Sequence, residues 1–178
     1  MPASLLRRLG ATAYESLLLG AIVLFLGFAL LPVLTPRPMP GGLAALSIPS
    51  AERRALSLVA IVLACGAYCV WLWSGGRRTL PMKTWRLSLE GADGSAVAPA
   101  RAILRYAAWW IGPALALGAA GALPSVVDPA WALPLLGVNY AWAFIDPGRL
   151  FLHDRIAGTR LMTQRVRSPR RTPDDTPR

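Results

Sequence analysis

The chain has 178 residues, of which 54% are hydrophobic and 16% are charged, and its formal net charge is +10. Soluble domains usually carry about 25% charged residues, so this composition and a mean hydropathy of +0.45 favour a membrane protein. The basic residues lie mainly between apolar blocks and near the chain ends, and no recognisable nucleic-acid-binding module accompanies them, which argues against a nucleic-acid partner.

Four apolar segments approach the roughly 20 residues that a membrane-spanning helix needs. They cover residues 14–34, 55–73, 103–123 and 126–145. The third contains Pro113, where we expect a kink unless a neighbour satisfies the freed carbonyl. The fourth contains two prolines, an aspartate and an asparagine, and it fits a full span, a tilted half-span or a re-entrant segment. The predicted fold is an all-α membrane protein, a small bundle of about four transmembrane helices with a cytoplasmic interfacial loop.

That loop, between the second and third segments, contains the sequence TWRLSLEGADGSA. Trp85, Leu87 and Leu89 alternate with polar residues before a turn at GADG, which is the periodicity of a strand. An extended segment on the membrane surface, with its apolar side down, is the alternative interpretation.

The positions of the basic residues predict the topology. They precede the first segment, fill the middle loop and recur in the tail, so the positive-inside rule places both termini and this loop in the cytoplasm. Arg37, Arg53 and Arg54, between the first two segments, disagree with this orientation. We predict a transmembrane domain over residues 1–162. The remaining residues, 163–178, are rich in proline and charged side chains, and we predict that they form a disordered basic cytoplasmic tail.

Charged residues at the membrane borders are the main candidates for a site. Arg8 and Glu15 lie about two helical turns apart and share a helix face. Glu15 is either an interfacial carboxylate favoured by the positive helix end or a buried ion or proton site. With both termini on one side, Asp154 and Arg155 lie at the same border. We predict that these four residues cluster, either as an ion or proton site or as a charge clamp.

Other polar residues are weaker candidates. His153 is the single histidine of the chain, so neither a hydrolase metal site nor a catalytic triad is expected, and no metal or cofactor is predicted. His153 is either an interfacial hydrogen-bonding residue or a proton shuttle, and Asn139 is a further weak candidate. Arg101 and Arg105, one turn apart, are expected to contact lipid phosphates at the cytoplasmic surface.

Three stretches of the chain resemble the RDD family of bacterial integral membrane proteins: RRLGATAYESLLLG, GGRRTLPMKTWRLSLEGADGSAVAPARAILRY and LHDRIAGTRLM. The resemblance runs from about Leu6 to Met162. The family is named for one arginine and two aspartates, which correspond here to Arg8, to Asp154 and, with glutamate in place of the first aspartate, to Glu15. It implies a multi-pass protein of the bacterial inner membrane that is suspected of transport, with sodium/proton antiport proposed for certain members.

The leading functional hypothesis is therefore a small inner-membrane bundle, a homo-oligomer, that moves a small ion or solute, with cation/proton exchange as the most concrete version. The alternative is a non-transporting scaffold or accessory subunit in which the charged cluster is a structural clamp. An enzyme is not expected, because the sequence offers no set of nucleophile, base and metal ligands. The expected partners are the bilayer and its anionic headgroups, together with a transported ligand that the sequence does not identify.

Overall fold

The computed structural model describes residues 3–34, 50–122 and 128–164 of the chain. Two long helices, α1 (Leu5–Leu34) and α2 (Ala51–Trp73), contain the first two predicted spans. Within the described residues, these are the two helices that are long and apolar enough to cross a membrane, by length and composition. Each begins before its predicted span, because the polar residues that precede the apolar run already belong to the helix.

Helices α1 and α2 form an antiparallel pair. The indole Nε1 of Trp73, at the end of α2, donates a hydrogen bond over 3.3 Å to Glu15 Oε1 in the first half of α1. Away from this contact both helices expose large apolar side chains, among them Leu17, Phe25 and Leu63. Apolar surfaces of this extent suit contact with lipid or with another protein chain.

The third predicted span is two shorter helices, α4 (Pro99–Trp109) and α5 (Ile111–Ala122). Pro113 explains the break, because it lacks an N–H and its ring clashes with the carbonyl four residues earlier, that of Trp109. The amide Nδ2 of Asn139 donates a hydrogen bond to this carbonyl over 2.9 Å. The helix is therefore interrupted at Trp110 even though a side chain from a later segment satisfies the freed carbonyl, a condition under which we expected no kink.

The fourth predicted span, 126–145, is not one continuous helix in the residues described from 128 onwards. A 3-10 helix (Pro129–Gly137) is followed by the single-turn helix α6 (Val138–Ala141) and a second 3-10 helix (Trp142–Phe144). The first 3-10 helix packs on α5 at Gly112, where a Cβ atom would lie 2.8 Å from the carbonyl oxygen of Leu136. Glycine therefore permits this close approach, and the segment folds back along α5.

A two-stranded antiparallel sheet corrects the all-α expectation. The short helix α3 (Leu80–Thr84) leads into strand β1 (Leu87–Gly91), which pairs with β2 (Thr159–Thr163). The pairing places Leu89 opposite Leu161, and both side chains are buried. The strand interpretation of the middle loop is confirmed, and the fold is mostly helical rather than all-α.

Helix α7 (Leu152–Ala157) precedes β2 and ends at Gly158, whose φ of 61° gives the left-handed turn that starts the strand. Thr163, which we predicted to begin the disordered tail, is the last residue of β2. The rest of the predicted tail, from residue 165 onwards, lies outside the described residues.

The buried hydrophobic core lies where the α1–α2 pair meets the sheet. Trp73, Met82, Leu87 and Leu161 pack together there. The ring of Trp85 lies against Gly10 of α1, where a Cβ atom would approach the ring to 2.7 Å. The sheet is therefore attached to the first turns of α1, and its neighbours α4 and α7 carry the charged residues that form the site.

Candidate functional site

A buried ion pair joins α4 to α7. Arg105 Nη1 donates a hydrogen bond to Asp154 Oδ1, and the two side chains are 5% and 0% exposed. Thr159, the first residue of β2, donates its hydroxyl to the same carboxylate oxygen over 2.9 Å and accepts from Arg105 over 3.0 Å. Buried charges require partners of this kind, because an unpaired charge in a low-dielectric interior is very costly.

Trp73 connects this ion pair to the membrane helices. The guanidinium of Arg105 lies over the Trp73 ring, with its Cζ 4.8 Å from the ring centroid. The indole N–H of Trp73 donates a hydrogen bond to Glu15. Glu15 is partly exposed and is close enough to Arg105 to interact with it electrostatically. The structure therefore brings two of the four predicted residues, Glu15 and Asp154, around one guanidinium.

His153 is a buried part of the same network. Its Nε2 lies 3.4 Å from Arg105 Nη2 and 3.8 Å from Asp154 Oδ2. Because a guanidinium can only donate, Nε2 accepts and the ring proton lies on Nδ1. Burial, followed by the charge of Arg105, holds the pKa of His153 well below its usual 6.5. His153 is thus neutral at neutral pH and lies inside the protein, not at the exposed border that an interfacial residue would occupy.

The other two predicted members, Arg8 and Arg155, lie in a second group around Asp146. Arg8 Nη2 donates to the carbonyl of Arg149, and its guanidinium carbon lies 5.0 Å from the centre of the Phe151 ring. Asp146 interacts electrostatically with Arg8, and its Oδ1 lies 3.7 Å from Arg155 Nε. The predicted cluster of four residues is therefore two neighbouring groups, and the ion-pair partner of Asp154 is Arg105.

Arg105 was expected to contact lipid phosphates, and this is wrong, because its guanidinium is enclosed by Asp154, Thr159 and Trp73. Arg101, one turn earlier on α4, remains exposed and lies 3.7 Å from Asp93. Asn139 is buried, and its amide nitrogen serves the carbonyl freed by Pro113, so its observed role is structural.

Several buried polar atoms of the site have unused hydrogen-bonding capacity. Asp154 Oδ2, His153 Nδ1 and Arg105 Nε have no hydrogen-bond partner among the described residues. Uncompensated atoms of this kind cost about 1–3 kcal/mol each, and they occur in native proteins mainly at functional or hydrated sites. In the same part of the chain, no group of three or more histidine, cysteine, aspartate or glutamate side chains is arranged to hold a metal ion.

Three partners in these networks could not be recognised from the sequence, because each residue also has an ordinary local role. Thr159 begins a strand, Trp73 ends a helix, and Asp146 accepts a hydrogen bond from the backbone N–H of Leu150 over 3.0 Å in the turn DPGR. The one available signal was the arginine in the apolar third segment, because a charge in such a segment usually has an acidic partner.

Comparison with models of protein families finds a match to the RDD family over residues 2–158. A search of curated proteins finds no match, and neither does a search of solved structures.

Proposed function

The chain belongs to the RDD family, with two apolar helices long enough to cross a membrane, and we propose that this membrane protein exchanges a small monovalent cation for a proton at Glu15. The observation that carries the proposal is a charge count. Two carboxylates act on a single guanidinium, that of Arg105: Asp154 is its ion-pair partner, and Glu15 interacts with it electrostatically from a greater distance. An excess negative charge next to an apolar helix pair is costly unless a proton or a cation neutralises it. Because one negative charge is in excess, a proton and a cation would compete to neutralise it, and such competition is the requirement for exchange.

Glu15 is the carboxylate that suits loading and release. Asp154 is fully buried and is held by both Arg105 and Thr159. Glu15, in contrast, is partly exposed, and its hydrogen-bond donors are neutral: the indole N–H of Trp73 at 3.3 Å and the hydroxyl of Thr79. Replacement of these weaker bonds by a proton or a cation requires no break in the buried ion pair.

A second function, a non-transporting scaffold or accessory subunit, is favoured by the contacts of the Arg105–Asp154 pair with neighbouring elements. That pair has its own hydroxyl partner in Thr159 and links α4, α7 and β2 without a ligand. In this case Glu15 would only accept hydrogen bonds within the fold, as it does from Trp73, and its titration would have no consequence for ion flux.

The finer membrane arrangement is part of the proposal. We infer a multi-pass protein of the bacterial inner membrane with both termini in the cytoplasm, supported by the distribution of basic residues. Helices α1 and α2 would each cross the bilayer, and α5 with the 3-10 helix that folds along it would account for the third and fourth predicted segments. The exposed apolar faces of α1 and α2 would contact lipid or a second copy of the chain.

Ion flux in sealed vesicles tests the exchange. Purified protein is reconstituted with a pH-sensitive dye inside, and Na⁺, K⁺ or Li⁺ is added outside. We expect alkalinisation of the vesicle interior with the wild type, because each entering cation would be exchanged for a proton that leaves. This signal should be lost in Glu15→Gln, which cannot titrate, and retained in Glu15→Asp. Glu52→Gln, which removes an exposed carboxylate in the first turn of α2, is the matched control and should transport normally. A wild type without flux, or a fully active Glu15→Gln, would contradict exchange and leave the scaffold function.

A further inference from the structure

We propose that a cavity at the N-terminal end of α1 binds the phosphate of an anionic phospholipid, with Arg8 and Arg149 as its ligands. The cavity has a volume of about 620 Å³ and lies between the start of α1, the loop at Pro147–Leu150 and strand β2. Ser4 and Leu161 also line it. None of its lining residues contributes to the Arg105 network.

The charge of the cavity favours an anion. Three arginines line it, and no acidic residue does so in the part of the chain that the structure describes. The nearest counter-charge to Arg8 is Asp146, which already accepts from the Leu150 N–H and lies 3.7 Å from Arg155. The third arginine, Arg160, lies opposite Glu90 in the sheet register and adds positive charge to the wall from strand β2; we assign the direct contacts to Arg8 and Arg149.

Arg8 is built into the wall of the cavity. Its residue is 4% exposed, its guanidinium packs on Phe151, and its Nη2 donates to the Arg149 carbonyl. Its Nε is buried and has no hydrogen-bond partner among the described residues. An arginine fork fixed in this way suits the oxygen atoms of a phosphate group that reaches the part of the guanidinium lining the cavity.

Arg149 supplies the accessible charge. Its φ of 52° is in the left-handed region, which is uncommon for a residue other than glycine. In this conformation its carbonyl accepts from Arg8 while its side chain is exposed. One arginine therefore orients the other, and the outer one is available to a ligand that approaches from outside.

The surroundings favour a lipid over a soluble phosphate. Leu5, Leu150 and Leu161 give the cavity an apolar wall, against which the glycerol and upper acyl carbons of a lipid would pack. The apolar run of α1 begins at Tyr14, six residues after Arg8, which is about 9 Å along a helix. That places the cavity at headgroup level, where basic pockets bind anionic lipids.

Binding in detergent tests the inference without any flux measurement, so it can fail independently of the exchange proposal. Delipidated protein in a non-ionic detergent is titrated with short-chain phosphatidylglycerol, short-chain phosphatidylcholine, glycerol 3-phosphate and inorganic phosphate, and affinity and thermal stabilisation are recorded. We expect phosphatidylglycerol to bind, phosphatidylcholine to bind at least tenfold more weakly, and the two water-soluble phosphates to be weaker still. Arg149→Gln should weaken phosphatidylglycerol binding about tenfold, because it removes one charge-assisted contact.

Arg7→Gln is the matched control, because Arg7 is exposed, adjacent to Arg8 and absent from the cavity wall. It should leave the affinity for phosphatidylglycerol unchanged. Equal losses in Arg7→Gln and Arg149→Gln would show general surface attraction and would overturn the site. Binding of inorganic phosphate as tight as that of the lipid would overturn the lipid assignment. Should Arg8→Gln fail to fold, Arg149→Gln still decides, since its exposed side chain is not part of the core.

Discussion

At the scale of single residues, Arg105 organises the site. It contacts Asp154 and Thr159, which are 49 and 54 residues away in the chain, and its guanidinium covers Trp73. The sequence placed Arg105 with Arg101 at the lipid surface because the two are one helical turn apart. The partners that permit burial of a guanidinium come from α7 and β2, so the helical spacing could not distinguish the buried arginine from the exposed one, and only its place inside the apolar segment did so.

His153 gives a pH prediction at this scale. In the unfolded chain its pKa is near 6.5, whereas in the folded protein burial and the Arg105 charge hold the pKa well below that value. Below about pH 6.5 the unfolded state therefore binds a proton that the folded state does not, and the free energy of unfolding falls as the pH falls towards the folded pKa. This loss is at most about 1.4 kcal/mol for each pH unit.

Thermal unfolding in detergent at pH 7.5, 6.0 and 5.0 measures this effect. His153→Gln keeps an acceptor for Arg105 but cannot be protonated, so its melting temperature should decrease less between pH 6.0 and 5.0 than that of the wild type. Other titrating groups affect both proteins equally, and the comparison removes them. Parallel decreases in the two proteins would contradict a neutral, buried His153.

At the scale of elements, the sequence predicted what local composition determines. Continuous apolar runs gave α1 and α2, alternation gave β1, and Pro113 gave the kink between α4 and α5. Strand β2 was not predicted, because TRLMT has polar or charged residues at three of its five positions and lies directly after α7. Its strand conformation depends on pairing with β1, about 70 residues earlier, and such pairing has no local signature.

The Arg105–Asp154 pair predicts energetic coupling between α4 and α7. Arg105→Met and Asp154→Leu should each lower the stability strongly, by about 3–5 kcal/mol, because each leaves one buried charge without its partner. The double variant removes both charges of the pair and leaves Glu15 as Arg105→Met does, so its loss should be well below the sum of the two. Chemical or thermal unfolding in detergent gives the stabilities of the wild type, the two single variants and the double variant, which together form a double-mutant cycle.

Arg101→Met is the matched control for this cycle, since Arg101 is exposed on the same helix and lies beside Asp93. Combined with Asp154→Leu, it should be additive to within about 0.5 kcal/mol. Additivity for Arg105 and Asp154 as well would mean that their contact does not connect the two helices energetically.

At the scale of the whole molecule, the chain combines an apolar helix pair with a compact part built from α3, α4, α7 and the sheet. The backbone N–H of Ala3 donates to the carbonyl of Leu161 over 3.1 Å, so the start of α1 is fixed to β2. The contact between Glu15 and Trp73 places the end of α2 beside the first half of α1. Charge patterning predicted that these borders share one side of the membrane, but only the strand pairing shows why they are joined.

This connection predicts how single cysteines react with a membrane-impermeant maleimide. Ser95, in the turn after β1, and Arg155, on α7, are both exposed and belong to the compact part that contains the sheet. Ser95→Cys and Arg155→Cys should therefore label on the same side. The basic residues around them predict that this is the cytoplasmic side, so labelling should require permeabilised cells. Gly42→Cys, between the two long helices and outside the described residues, should label in intact cells.

Cys65 and Cys69 are buried, and the unmodified protein, which retains them, is the background control. Labelling of Ser95→Cys and Arg155→Cys from opposite sides would be incompatible with the β1–β2 sheet, and labelling of all three from one side would mean that the α1–α2 pair does not cross the bilayer.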